Sequence, residues 1–161
     1  MSLKEAYFGG GCFWGMEYLF SKLDGVKDAI SGYMGGIKES PTYQDVCYRN
    51  TGHIEVVKVV YYPYIINYEE LTKYFFEIHD PTQTNGQGPD IGYQYISAIF
   101  TNDESEKITI KQLINTLEAK GYKTATKIFD LTSFWKAEEY HQNYYDKNGH
   151  TPYCHRYTKR F

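Results

Sequence analysis

The stretch Glu5-Ala6-Tyr7-Phe8-Gly9-Gly10-Gly11-Cys12-Phe13-Trp14-Gly15-Met16 passes from an aromatic strand pattern, through three glycines, into a helix. The helix declares itself by Met16, Leu19, Phe20 and Leu23, which repeat at i, i+3, i+4 and i+7. Two later stretches repeat the spacing: Leu71, Tyr74, Phe75, Ile78 and Ile110, Leu113, Ile114, Leu117. Asn67 with Glu70 and Asp103 with Glu106 form capping boxes ahead of them. Gly25 and Gly121 stand where helices stop, and Asp80-Pro81 closes the second.

Strands are expected at Glu5 to Phe8, Val26 to Tyr33, Ile54 to Tyr62, Tyr95 to Phe100 and Thr126 to Phe129, with long loops at Gly35 to Arg49 and Asp80 to Gly92. The order is β-α-β-β-α-β, followed by α-β. This predicts an α+β fold: a two-layer ferredoxin-like plait with an extra helix, an extra strand and an irregular C-terminal tail. No repeat or linker divides residues 1–161, so one domain is expected, with 146–161 a mobile tail carrying Cys154.

At 161 residues the chain can bury a core without disulfide staples, and its three cysteines are an odd number, unlike a secreted framework. The net charge of −3, without a Lys/Arg cluster, argues against nucleic-acid binding. A mean hydropathy of −0.58 and the absence of any long apolar run argue against a membrane span. The opening Met1-Ser2-Leu3-Lys4-Glu5 is no signal peptide, so a cytoplasmic protein is expected. Tyr occurs 18 times, supplying either an aromatic core or the hydroxyls of a polar-tipped pocket.

Cys12 falls at a helix N-terminus, where free N–H groups and the positive dipole end favour a thiolate; the alternative is a small buried hydrophobe. Phe13 and Trp14 are either plain core or an apolar slot for a methyl or thioether group. In His53-Ile54-Glu55-Val56-Val57-Lys58-Val59-Val60-Tyr61, alternation sets Glu55 with Val57, Val59 and Tyr61, opposite Lys58. An inward Glu55 would be desolvated and able to donate a proton near neutrality, whereas a splayed strand end would leave it in solvent. The H-x-E form of His53-Ile54-Glu55 lacks the cysteine pair of a zinc deaminase, and no usual ligand spacing for a metal occurs. A Cys-His hydrolase remains open, with Cys12 as nucleophile and His53, His79, His141, His150 or His155 as base. The two long loops read as turn chemistry, yet Tyr43, Asp90 and Tyr95 on them would supply two hydroxyls and a carboxylate. Cys154, on the tail, either can reach an oxidised thiol elsewhere or is a solvent-exposed bystander; of the two, Cys47, in a loop without special neighbours, fits the bystander better.

Taken together, Gly11-Cys12-Phe13-Trp14-Gly15 with Glu17, Pro41-Thr42-Tyr43, Thr51-Gly52-His53 to Glu55, His79-Asp80-Pro81-Thr82-Gln83, Gln87-Gly88 with Asp90, Gln94-Tyr95 and Ala137-Glu138 with Tyr140-His141-Gln142 resemble the A-type peptide methionine sulfoxide reductases over nearly the whole chain. The resemblance implies reduction of the S epimer of methionine sulfoxide, free or in proteins. It implies Cys12 as nucleophile, Glu55 as proton donor, Tyr43 and Tyr95 on the sulfoxide oxygen, and Asp90 holding substrate and site water. Phe13 and Trp14 would hold the methyl group, and Cys154 would close a disulfide with Cys12. Thioredoxin is the implied reductant, replaceable in vitro by dithiothreitol, with no bound cofactor and a monomeric enzyme. The family usually carries Arg where this chain has Ile96, and often Gly where it has His155, and here Pro89 precedes Asp90. A thiol hydrolase and a redox-regulated binding module without turnover are the readings from other classes.

Overall fold

A computed structural model describes residues 2–48, 50–149, 152 and 155–161. In chain order the elements are β1 (Lys4–Gly10), α1 (Phe13–Ser21), β2 (Val26–Met34), α2 (Tyr43–Tyr48), β3 (Ile54–Tyr61), α3 (Tyr68–Glu77), β4 (Gly86–Gln87), β5 (Asp90–Ile91), β6 (Ser97–Phe100), α4 (Glu104–Ala119), β7 (Lys127–Phe129), β8 (Trp135–Lys136) and α5 (Tyr144–Asn148). The result is an α+β fold on a six-stranded mixed sheet ordered β7-β6-β1-β3-β2-β8, in which only β6 and β7 run parallel.

Strand alternation decides which side chains meet which helices. Along β3, Val57, Val59 and Tyr61 enter the larger core while Ile54 and Val56 enter a smaller cluster with Met34, Ile96, Ala98 and Phe100. The larger core collects the apolar faces of α1, α3 and α4. Its centre is a stack in which Phe8 of β1 meets Phe20 of α1 at 5.3 Å and Phe75 of α3 at 5.0 Å between ring centroids. The Asn67 and Glu70 capping box forms with both reciprocal bonds, and Asp103 caps α4 through the amides of Ser105 and Glu106.

The structure departs from expectation where elements are short. The loop Gly35 to Arg49 contains α2, started by reciprocal bonds between Thr42 and Asp45 (Thr42 N–H to Asp45 Oδ2, 2.9 Å; Asp45 N–H to Thr42 Oγ1, 3.1 Å). Six residues are too few to show a helical period. The strand predicted from Tyr95 begins at Ser97, and Tyr95 ends a 3-10 turn over Tyr93–Tyr95. The second long loop folds back as the β4-β5 ribbon. The tail predicted as irregular from 146 opens inside α5, which stops at Gly149 in a left-handed conformation (φ +69°). Its last residues are tied to the end of α3: Thr158 N–H donates to the Glu77 carbonyl, Arg160 N–H to Glu77 Oε2, and the Arg160 guanidinium to the carbonyls of Phe76 and His79. Cations suit a helix C-terminus, where carbonyls lack partners.

Candidate active site

The glycine run does more than turn the chain. Gly11 adopts φ +95°, and a Cβ there would strike the Gln87 side chain. Beyond this turn Cys12, half buried, takes the cap position of α1, and Phe13 is the first helical residue. A helix start leaves amides without intrahelical partners. One of them, the Phe13 N–H, donates to Glu55 Oε1 at 3.2 Å.

Glu55 is 1% exposed, on the helix-covered side of β3 and paired in register with Tyr33. Burial pushes its pKa up to about 8; the Phe13 amide opposes the shift and the negative charge of Asp90 adds to it. Its Oε2 has no partner among the described residues. An inward carboxylic acid, protonated near neutrality and seated beside the cysteine turn, is therefore the site's central feature.

Tyr43 and Tyr95 stand over this acid. Tyr43 opens α2, its backbone fixed by an N–H bond to Glu138 Oε2 at 2.9 Å. Both phenols are pushed well above the ordinary range, first by burial and then by the Glu55 charge, so both stay protonated and able to donate. Asp90, at the start of β5, acts electrostatically on Glu55 and Tyr95.

Phe13 is buried against Tyr33 (5.7 Å) and His141 (5.1 Å). Trp14 stacks on Tyr144 at 3.7 Å and 5° between planes, and its Nε1–H donates to His141 Nδ1 at 2.9 Å. Because Nδ1 accepts, the imidazole is neutral with its proton on Nε2, in keeping with burial lowering its pKa; that Nε2 has no partner among the described residues.

The segment carrying His141 is docked by polar groups whose roles sequence alone does not announce. Glu17 of α1 accepts the Ser31 hydroxyl and the Asn143 N–H, each at 2.7 Å. Gln142 bridges Ser31 and Ala137, and Glu138 accepts the Tyr33 hydroxyl at 2.9 Å. These partners lie 105 or more residues apart in the chain, apart from Glu17 with Ser31 and Gln142 with Ala137.

Cys47, expected in a loop, lies instead on α2 one turn from Tyr43, near Gln94 and Tyr95, and burial raises its thiol pKa. Cys154 lies outside the described residues, as does His150. The hydrolase reading asks for a histidine base. His53 is held by Lys38 O and Gly36 N, His79 by Phe75 O and Ser97 Oγ, His141 by Trp14, and His155 by Gly10 O. No group of three metal-ligating side chains occurs among the described residues.

Residues 4–161 match the family model described as peptide methionine sulfoxide reductase. A protein of Nautilia profundicola named peptide methionine sulfoxide reductase MsrA is 47% identical over 152 residues, covering 94% of this chain and 88% of that protein. One of the same name from Sulfolobus acidocaldarius is 44% identical, covering 94% and 87%. Reduced Mxr1 from Saccharomyces cerevisiae superposes with a TM-score of 0.90 at 39% identity, covering 99% of this chain and 93% of that one. The same yeast protein in complex with Trx2 gives 0.65 at 28% identity, covering 96% and 89%.

Proposed function

The chain belongs to the peptide methionine sulfoxide reductase family, and on that premise we propose that it reduces methionine S-sulfoxide, free or in proteins, to methionine in a thioredoxin-dependent cycle. The observation that carries the mechanism is the buried Glu55 carboxyl, with a pKa near 8, on the amide that follows Cys12.

The Cys12 thiolate attacks the sulfoxide sulfur. Glu55 gives its proton to the sulfoxide oxygen, which the Tyr43 and Tyr95 hydroxyls also hold, so negative charge is neutralised as it forms. Asp90 orders the substrate and the site water. The methyl group lies against Phe13 and Trp14, and only one epimer can place its methyl there and its oxygen under the acid at once. Oxygen passes to Cys12 as a sulfenic acid and methionine leaves, the two electrons coming from the cysteine sulfur. Cys154 condenses with the sulfenic acid, releasing water and forming a disulfide that a thioredoxin dithiol reduces. Sulfur atoms carry every electron, so the cycle needs no bound cofactor, and a reducing compartment such as the cytoplasm suits it.

We also read residues 1–161 as one catalytic unit on a ferredoxin-like plait. The strand order β6-β1-β3-β2, with α1 between β1 and β2 and α3 between β3 and β6, supports that reading.

The test is racemic methionine sulfoxide with thioredoxin, thioredoxin reductase and reduced nicotinamide cofactor, followed by chiral separation. The S epimer should vanish and the R epimer persist. Survival of both would overturn the proposal.

A further inference from the structure

His155 is a buried imidazole to which the reaction above gives no role. It is 5% exposed, and its Nε2–H donates to the Gly10 carbonyl at 2.6 Å. The donor must be the histidine, because a carbonyl only accepts. Burial lowers its pKa, which keeps the ring neutral. The ring lies where Gly15 has no side chain: a Cβ at Gly15 would overlap the imidazole, and one at Gly11 would come within 3.3 Å of Nε2. Gly11 of the Cys12 turn and Gly15 of α1 thus form the walls of a slot, and Gly10 supplies its acceptor.

The slot is one of two anchors. The other is the clasp of Thr158 and Arg160 on the end of α3. His155 directly follows Cys154, and Gly10 stands two residues before Cys12. The α3 clasp begins at Thr158, four residues beyond Cys154 in the sequence. The hold at His155 fixes the chain one residue from Cys154, and fixes it to the turn of the nucleophile. The frequency with which two groups on one chain meet follows tether length and end placement.

We propose that His155 is a positioning residue for the recycling step. By fastening the chain beside Cys154 to the Cys12 turn, it sets the rate at which the Cys154 thiol condenses with the Cys12 sulfenic acid. In that step an S–S bond forms, the S–O bond of the sulfenic acid breaks, and its hydroxyl leaves as water with the thiol proton. This inference rests on the assignment of Cys154 as the resolving thiol.

The experiment separates the two steps. Reduced protein is mixed with excess methionine S-sulfoxide without reductant, and methionine release and the Cys12 to Cys154 disulfide are followed by quenched flow and mass spectrometry. His155→Ala should release its first methionine within about twofold of the wild-type rate and close the disulfide about tenfold more slowly. His155→Gln, which can still donate to the Gly10 carbonyl, should recover much of the loss, a rescue that a general packing defect would not show. Gly15→Ala, with both cysteines and His155 intact, should slow closure in the same way by displacing the ring. Unchanged closure in His155→Ala, or methionine release falling in parallel with closure, overturns the inference. Wild-type protein that releases methionine without a Cys12 to Cys154 disulfide overturns instead the assignment of Cys154, and wild-type protein that releases no methionine overturns the reductase reading itself.

Discussion

The carboxyl of Glu55 and the backbone amide of Phe13, 42 residues apart, meet at 3.2 Å, so that the acid of β3 sits on the first turn of the helix capped by Cys12. The proposed nucleophile and the proposed proton donor are thereby tied to one helix end.

The first prediction is kinetic. With Glu55 as the proposed proton donor its protonated form is the active one, and with its pKa pushed up to about 8, single-turnover methionine release should lose about tenfold per pH unit above that value. Glu55→Gln keeps shape and polarity but has no proton to give. It should slow that step by about 100-fold or more with substrate affinity retained, and its alkaline limb should vanish. An unchanged pH profile in the variant would remove Glu55 from the role of donor.

The second concerns stability, and its sign is opposite to that of an ordinary salt-bridged carboxylate. Because the folded-state pKa is raised above the unfolded value, Glu55 contributes fully below about pH 4.5, and the contribution is lost as pH rises through about 8. The stability of Glu55→Gln relative to wild type should accordingly shift in the variant's favour by about 4 kcal/mol between pH 4.5 and 9. Urea unfolding at a series of pH values reads this directly, and a difference that stays flat with pH would mean the carboxyl is not held neutral.

Some of this was legible in the residues. Met16 and Phe20 announce α1 by period, and the alternation of Val57, Val59 and Tyr61 carries Glu55 inward with them. Three glycines before a cysteine read as a close-approach turn, and Gly11 makes one. What stayed hidden has two physical causes. The helix Tyr43–Tyr48 and the strand Trp135–Lys136 are too short to repeat the periods that would reveal them. Trp14 with His141, Glu17 with Asn143, and His155 with Gly10 are single hydrogen bonds between residues 126 to 145 apart in the chain, and these leave no local pattern.

The third prediction follows from one of those bonds. Trp14 is held by the His141 acceptor on its Nε1–H and by the Tyr144 ring on its face. His141→Leu removes the acceptor and frees the indole to turn. The apparent dissociation constant for methionine S-sulfoxide should rise about five- to tenfold in single-turnover assays, with the saturating rate within about twofold. His141→Asn, whose amide oxygen can replace Nδ1, should stay near wild type. A fall in the saturating rate instead would mean that the unpartnered Nε2–H touches the reacting oxygen.

The last concerns Cys47, whose place among Tyr43, Gln94 and Tyr95 puts a second thiol beside the acid. Proximity alone does not make it reactive, because the thiolate is the nucleophile and burial raises its pKa above that of a free thiol. Iodoacetamide labelling of Cys47, followed by peptide mass spectrometry, should therefore remain slow at neutral pH and accelerate only at a higher pH than a free cysteine requires. Cys47→Ser retains a hydroxyl for the tyrosines and should keep thioredoxin-driven turnover within about twofold of wild type. A large loss of turnover, together with fast labelling at pH 7, would reassign Cys47 from a packed polar neighbour of the phenols to a working thiol of the redox cycle.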